Sequence, residues 1–228
     1  MIPIRDNRIT KNAPIVTWTL IGLNCFIYLW DRQWQVFGHS VVFADWGITP
    51  SAVIDALSNP GTNNALITLF TSIFLHANLL HLIGNMLFLM TFGNGVEQAF
   101  RPPRFVLYYL FWGIFAGAAQ VFVTPNSQGT IIGASGAIGG VLGAYLLLFP
   151  TNKIEILIPF VFIPVVVSAW VLLGAWFLMQ ILLPQEGVAN WAHVGGFACG
   201  MATILVMGGR DKALRGKEKE FLYDDDFY

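Results

Sequence analysis

Ser135 and His193 are the two residues whose type and setting could do chemistry together. Ser135 lies in Gly133-Ala134-Ser135-Gly136, inside an apolar run, and His193 lies in Ala192-His193-Val194-Gly195-Gly196. A serine hydroxyl in such a run is either hydrogen-bonded filler at a helix contact or a nucleophile. As a nucleophile it needs a base to take its proton and donors aimed at the oxyanion that forms. His81 and Asn85 are candidate donors, four residues apart in His81-Leu82-Ile83-Gly84-Asn85 and hence on one helix face. Asn85 alone also reads as interhelical glue, worth about 1 kcal/mol. His76 precedes the same helix and is a candidate to border the same cavity.

The elements that must position these residues follow from composition. The chain has 228 residues, 56% hydrophobic and 11% charged, with a mean hydropathy of +0.64. Soluble domains carry about 25% charged residues, so too little charge remains here to cover a water-facing surface. The class is an all-α polytopic membrane protein. The two cysteines, Cys25 and Cys199, sit in separate apolar runs and suggest neither a disulfide framework nor a thiolate metal site. No removable signal peptide is expected, because the first apolar run follows a charged segment and shows no small-residue cleavage site.

A spanning helix needs ~20 mainly apolar residues. Six runs meet that demand: Pro14 to Trp30, His81 to Phe92 with its extensions, Phe105 to Val123, Ile131 to Phe149, Ile163 to Leu183 and Trp191 to Met207. Between the fourth and fifth, Ile154 to Phe162 is apolar but broken off by Pro159 and Pro164, and reads as an interfacial segment. The expected organisation is an N-terminal tail over residues 1–13, a six-helix domain over 14–208 and a charged C-terminal tail over 209–228. The Asp224-Asp225-Asp226 run is expected to be solvated.

Eleven of the twelve basic residues fall on one side of this arrangement, and only Arg32, beside Asp31, falls on the other. The bias puts both termini in the cytoplasm. The second, fourth and sixth helices then start from the outer side, and their first residues share one depth. That layer holds His81, Asn85, Ser135 and His193. Polar groups inside membrane segments are rare and mark sites by default. The pairs Gly136/Gly140, Gly139/Gly143 and Gly196/Gly200 have the four-residue spacing that lets helix backbones approach closely, which would bring Ser135 to His193. No Asp or Glu lies at this depth, and Glu186 is expected in solvent, so the pair reads as a Ser–His dyad. The long first connection, about Asp31 to Asn78, is expected to be ordered in the outer interface, because it is rich in aromatics.

Other chemistries fit less well. There is no H-E-x-x-H for a metalloprotease, no pair of carboxylates in the third to sixth helices for an aspartyl mechanism, and too few spaced histidine pairs for haem. Internal repeats of the kind seen in transporters are not found.

These residues resemble the rhomboid family of intramembrane serine proteases. The match is HxxxN at His81 to Asn85, GxSG at Gly133 to Gly136 and AHxxG at Ala192 to Gly196, with similar flanks at Phe70 to His76 and Phe92 to Glu97. The resemblance implies a rhomboid-like fold, with Ser135 as nucleophile, His193 as general base and then acid, and Asn85, His81 and the Ser135 N–H at the oxyanion. It implies that helix five, with Trp170, Trp176 and Phe177, flanks the lateral route of substrate. Gln120 and Gln180 would hold water at the site or else bond between helices. Expected partners are single-pass membrane-protein substrates and the bilayer, with no cofactor, metal or nucleic acid. The expected location is a prokaryotic plasma membrane. The competing class is a catalytically silent membrane-protein binder on the same scaffold. Two departures stand out. Gly139 occupies a position where some members carry an aromatic that packs on the histidine, and the Trp-Arg pair of some members' first loop is not evident, so Trp34, Trp46 and Arg32 receive no role.

Overall fold

The computed structural model describes residues 2–10, 12–61, 64–158, 163–216 and 221–223. Asp224 to Asp226, Pro159, Lys11, Lys217 and Lys219 lie outside the described residues. Six helices form the body: α1 (Ile15–Asp31), α2 (Leu79–Phe100), α3 (Pro102–Val123), α4 (Ser135–Leu148), α5 (Ala169–Leu182) and α6 (Asn190–Val206). Helices α2 and α3, at 22 residues each, are long and apolar enough to cross a membrane; α1, α4 and α5 are apolar but shorter. A π-helical stretch, Leu89–Gly93, lies inside α2.

Helix α4 starts four residues later than its apolar run suggests. Ile131 instead pairs with Ile48 in an antiparallel bridge, and the Gly133 N–H donates to the Ser72 carbonyl at 2.9 Å. The segment before Ser135 is therefore outside the helix and tied to the first connection. At 14 residues α4 is ~21 Å long, short of the ~30 Å bilayer core. Ser135 is the first residue of the helix, in the turn whose N–H groups have no carbonyl one turn earlier to bond.

The fifth run divides differently from the expectation. Residues up to Ser168 are strand, and the helix begins only at Ala169. Strands β1 (Ile2–Asp6), β3 (Lys153–Ile158) and β4 (Ile163–Ser168) form an antiparallel sheet in the order β1-β3-β4, with Lys153 opposite Ser168 and Asp6 opposite Ile154. In β3, Ile154 and Ile156 are buried while Lys153 and Glu155 are not, the period-2 alternation of a half-buried strand. Strand β2 (Arg8–Thr10) pairs with β5 (Phe221–Tyr223). The segments read as tails thus pair with each other and with the sheet.

Three contacts set the packing. A Cβ at Gly196 would overlap the Gly136 carbonyl, and one at Gly200 the Gly140 carbonyl, so α4 and α6 meet backbone to backbone as the glycine spacing predicts. The buried Glu97 carboxylate of α2 accepts the Val16 N–H at 2.9 Å, and the Thr17 N–H and hydroxyl at 2.8 Å each. It caps α1, whose own N-cap, Pro14, offers no side-chain acceptor. Arg8, buried at the far end of α4 from Ser135, bonds Asp6 through Nε at 2.7 Å. Its guanidinium carbon lies 4.8 Å and 4.1 Å from the ring centres of Tyr145 and Phe149.

Candidate active site

Ser135 Oγ lies 2.8 Å from His193 Nε2. The two residues come from the first turns of α4 and α6, and the glycine contact between those helices is what allows the short distance. They line a cavity of about 440 Å³ together with His81, Gly84, Asn85, Ile138, Trp176 and Val188. All four residues expected to carry the chemistry thus face one space.

The other wall of that space is α2. Asn78 caps the helix by accepting the His81 N–H at 2.9 Å, and His81 and Asn85 then project from one face toward Gly133. A Cβ at Gly133 would sit 2.8 Å from His81 Cε1 and Nε2 and 3.6 Å from Asn85 Nδ2, and its φ of +123° suits glycine alone. Glycine at this position lets the α2 donors close on the Ser135 segment. Among the described residues, the buried Asn85 Nδ2 has no hydrogen-bond partner. Buried donors nearly always find one, so a lone amide N–H₂ facing the cavity is a donor waiting for an acceptor there.

His76 stands behind His81 rather than on the cavity wall. Its ring meets that of His81 edge-on at 5.2 Å and is 1% exposed. Burial in the connection, with His81 beside it, lowers its pKa to about 3, so it is neutral.

The two glutamines hold protein groups. Gln120 Oε1 accepts the Ala192 N–H at 3.1 Å, which caps α6 from α3 where the α6 N-cap, Ala189, provides no side-chain bond. Gln180 Oε1 lies 2.7 Å from His193 Nδ1. Glu186 is exposed. The Trp176 ring lies 5.6 Å from the imidazole at 36°. A Cβ at Gly139, by contrast, would sit 3.0 Å from the His193 carbonyl. Position 139 is therefore filled by the α6 backbone, and packing on the imidazole comes from α5.

Arg32 is the residue that sequence reasoning missed. It is 3% exposed. Its guanidinium bonds Asp31 at 2.8 Å and the carbonyls of His76 and Ala77 at 2.8 Å each, with its Cζ 3.9 Å from the centre of the Tyr28 ring. Asp31 in turn accepts the N–H groups of Val41 and Val42. The pair fixes the end of α1, the first connection and the start of α2 relative to one another. Its adjacency in sequence was a signal, because two opposite charges outside the basic face need not be solvated.

A sequence profile described as Rhomboid domain matches residues 63–210. The chain belongs to the rhomboid family. Among its rhomboid relatives, RHOMBOID-like protein 1 of Arabidopsis thaliana is 37% identical over 138 residues, 58% of this chain and 32% of that protein. RHOMBOID-like protein 6, mitochondrial, of the same plant is 35% identical over 147 residues, 61% and 43%. Rhomboid protease GluP of Bacillus subtilis (strain 168) is 31% identical over 140 residues, 61% and 26%. The chain thus aligns with less than half the length of each of these three rhomboid relatives. The family, with the mostly helical build and apolar helices, makes this a helical membrane protein.

Proposed function

We propose that this rhomboid-family chain is an intramembrane serine endopeptidase that cleaves transmembrane segments of membrane-protein substrates near the outer face. The 2.8 Å approach of His193 Nε2 to Ser135 Oγ is the observation that carries this reading. As the Ser135 oxygen bonds the scissile carbonyl carbon, its proton passes to His193 Nε2. The oxyanion takes donors from Asn85 Nδ2, His81 and the Ser135 N–H. Collapse breaks the C–N bond, and the proton goes on to the leaving amine. Water then attacks the acyl-enzyme with His193 again as base. No metal or cofactor takes part in these steps.

The same reading has six membrane crossings with both termini cytoplasmic, in keeping with the side on which the basic residues gather. The first connection lies in the outer interface, where exposed Trp34, Phe37 and Trp46 suit the lipid boundary. The substrates are single-pass membrane proteins, and the site of action is a prokaryotic plasma membrane.

The purified chain, in liposomes with a transmembrane reporter, provides the test. Cleavage and fluorophosphonate labelling are expected to disappear in Ser135→Ala and to fall at least about 10²-fold in His193→Ala. Equal labelling of Ser135→Ala and wild type would leave the silent-binder reading in its place.

A further inference from the structure

Resting on that acyl-transfer reading, we propose that Gln180 is a positioning residue for the reaction: its amide oxygen accepts the Nδ1–H of His193 and keeps the Nε2 lone pair turned to Ser135. A neutral imidazole carries one N–H, on either nitrogen, and an amide oxygen can only accept. With Oε1 2.7 Å from Nδ1, the proton belongs on Nδ1. Nε2, 2.8 Å from the serine oxygen, is then free to accept the Ser135 hydroxyl. The other tautomer would donate from Nε2 to that oxygen and could not take its proton.

Helix α5 makes a second contact with the same ring. Trp176, one turn before Gln180, packs against the imidazole at 5.6 Å, so one helix face fixes both the ring's edge and its side. Gln120 holds the backbone beneath it at Ala192. A neutral amide suits the location. An ionised carboxylate in a half-buried apolar site costs several kcal/mol before any attraction is counted, whereas an amide dipole sets the tautomer at far less cost. When Nε2 takes the serine proton and passes it to the leaving amine, Nδ1–H stays bonded to Gln180, so the same geometry serves both half-reactions. The site is in this sense a Ser–His–Gln relay with two neutral supports.

The experiment compares Gln180→Leu and Gln180→Glu with wild type in the full chain, by fluorophosphonate labelling rate, by kcat and KM on a transmembrane reporter, and by thermal unfolding. Loss of the acceptor in Gln180→Leu is expected to lower labelling and kcat by at least about tenfold, with KM and melting temperature little changed. Gln180→Glu keeps an acceptor and is expected to stay above Gln180→Leu. A merely packing role predicts the reverse order, with leucine tolerated and the carboxylate not. Wild-type labelling by Gln180→Leu, or Gln180→Glu falling as far as Gln180→Leu, would overturn the proposal. Should Gln180→Leu not fold, Gln180→Met, of similar length and without an oxygen acceptor, carries the same expectation. Ser135→Ala separates the two readings. If it is dead while Gln180→Leu is fully active, only the role of Gln180 is lost. If Ser135→Ala labels like wild type, the protease reading itself is lost.

Discussion

At the scale of single residues, His76 makes a pH prediction that separates folding from chemistry. Its pKa is about 3 in the fold against ~6.5 in an unfolded chain. Below pH ~6.5 the unfolded state therefore binds a proton that the folded state refuses. The stability that His76 confers on the native state is fully present above ~6.5 and drains away as the pH falls toward 3, at up to about 1.4 kcal/mol per pH unit. Thermal unfolding between pH 7 and 5 should show a steeper loss in wild type than in His76→Gln, and parallel slopes would contradict the assignment. The residues facing the cavity were legible in sequence for a simple reason. Ser135, His193, His81 and Asn85 are polar groups in apolar runs, and few other reasons exist for placing them there. Gln180 has the same composition signal but lacked a visible partner. Helix α5 is apolar on every side, so periodicity does not tell which face turns to α6. Arg32 stands apart from the other basic residues with Asp31 beside it, which marks a pair, but only the fold reveals the His76 and Ala77 carbonyls it holds.

At the scale of elements, the α4–α6 contact is the one on which the site's geometry depends. A methyl group at Gly196 would meet the Gly136 carbonyl, a backbone atom that cannot swing aside. Gly196→Ala should force the helices apart, cost at least about 2 kcal/mol and lengthen the Ser135–His193 distance. Thermal unfolding and fluorophosphonate labelling should fall together. A variant with wild-type melting and labelling would mean that the interface gives way more easily than its contacts imply. The glycine spacing announced this contact, since close approach has a sequence signature. The start of α4 and the β3–β4 hairpin were missed because hydropathy does not distinguish strand from helix in a short apolar run. The signal was there. Lys153-Ile154-Glu155-Ile156 alternates with period 2, and Val165-Val166-Val167 is a β-branched run. Residues 131–133 had no such mark. They stay out of the helix because the backbone groups of Ile131 and Gly133 pair with Ile48 and Ser72, partners about 60–80 residues away in the chain.

At the scale of the whole molecule, the chemistry and the clasp of the termini occupy opposite ends of α4. Tyr145, ten residues beyond Ser135 and so ~15 Å along the helix, donates its hydroxyl to Asp6 at 2.7 Å. Phe149, one turn on, stacks edge-on against Phe221 of β5 at 5.2 Å. Arg8 lies over both rings, and a Cβ at Gly95 would overlap its guanidinium. Truncation in Arg8→Ala removes two ring contacts and uncovers Asp6, so it should lower the melting temperature by a few degrees, consistent with a loss of about 1–2 kcal/mol. Labelling of Ser135 below that temperature should stay within about twofold of wild type. A large drop in labelling would reveal coupling along α4 between the two ends. Composition suggested nothing of this clasp, because charged segments flanking an apolar domain are usually solvated. The pairing of β2 with β5 also changes how the polypeptide can be rearranged. With its second strand beside its last, the fold holds two segments from opposite ends of the sequence next to each other. A circular permutant whose linker runs from beyond β5 to the residue before β1, with new ends opened at the exposed turn around Gly61, is expected to keep every helix beside its present neighbours.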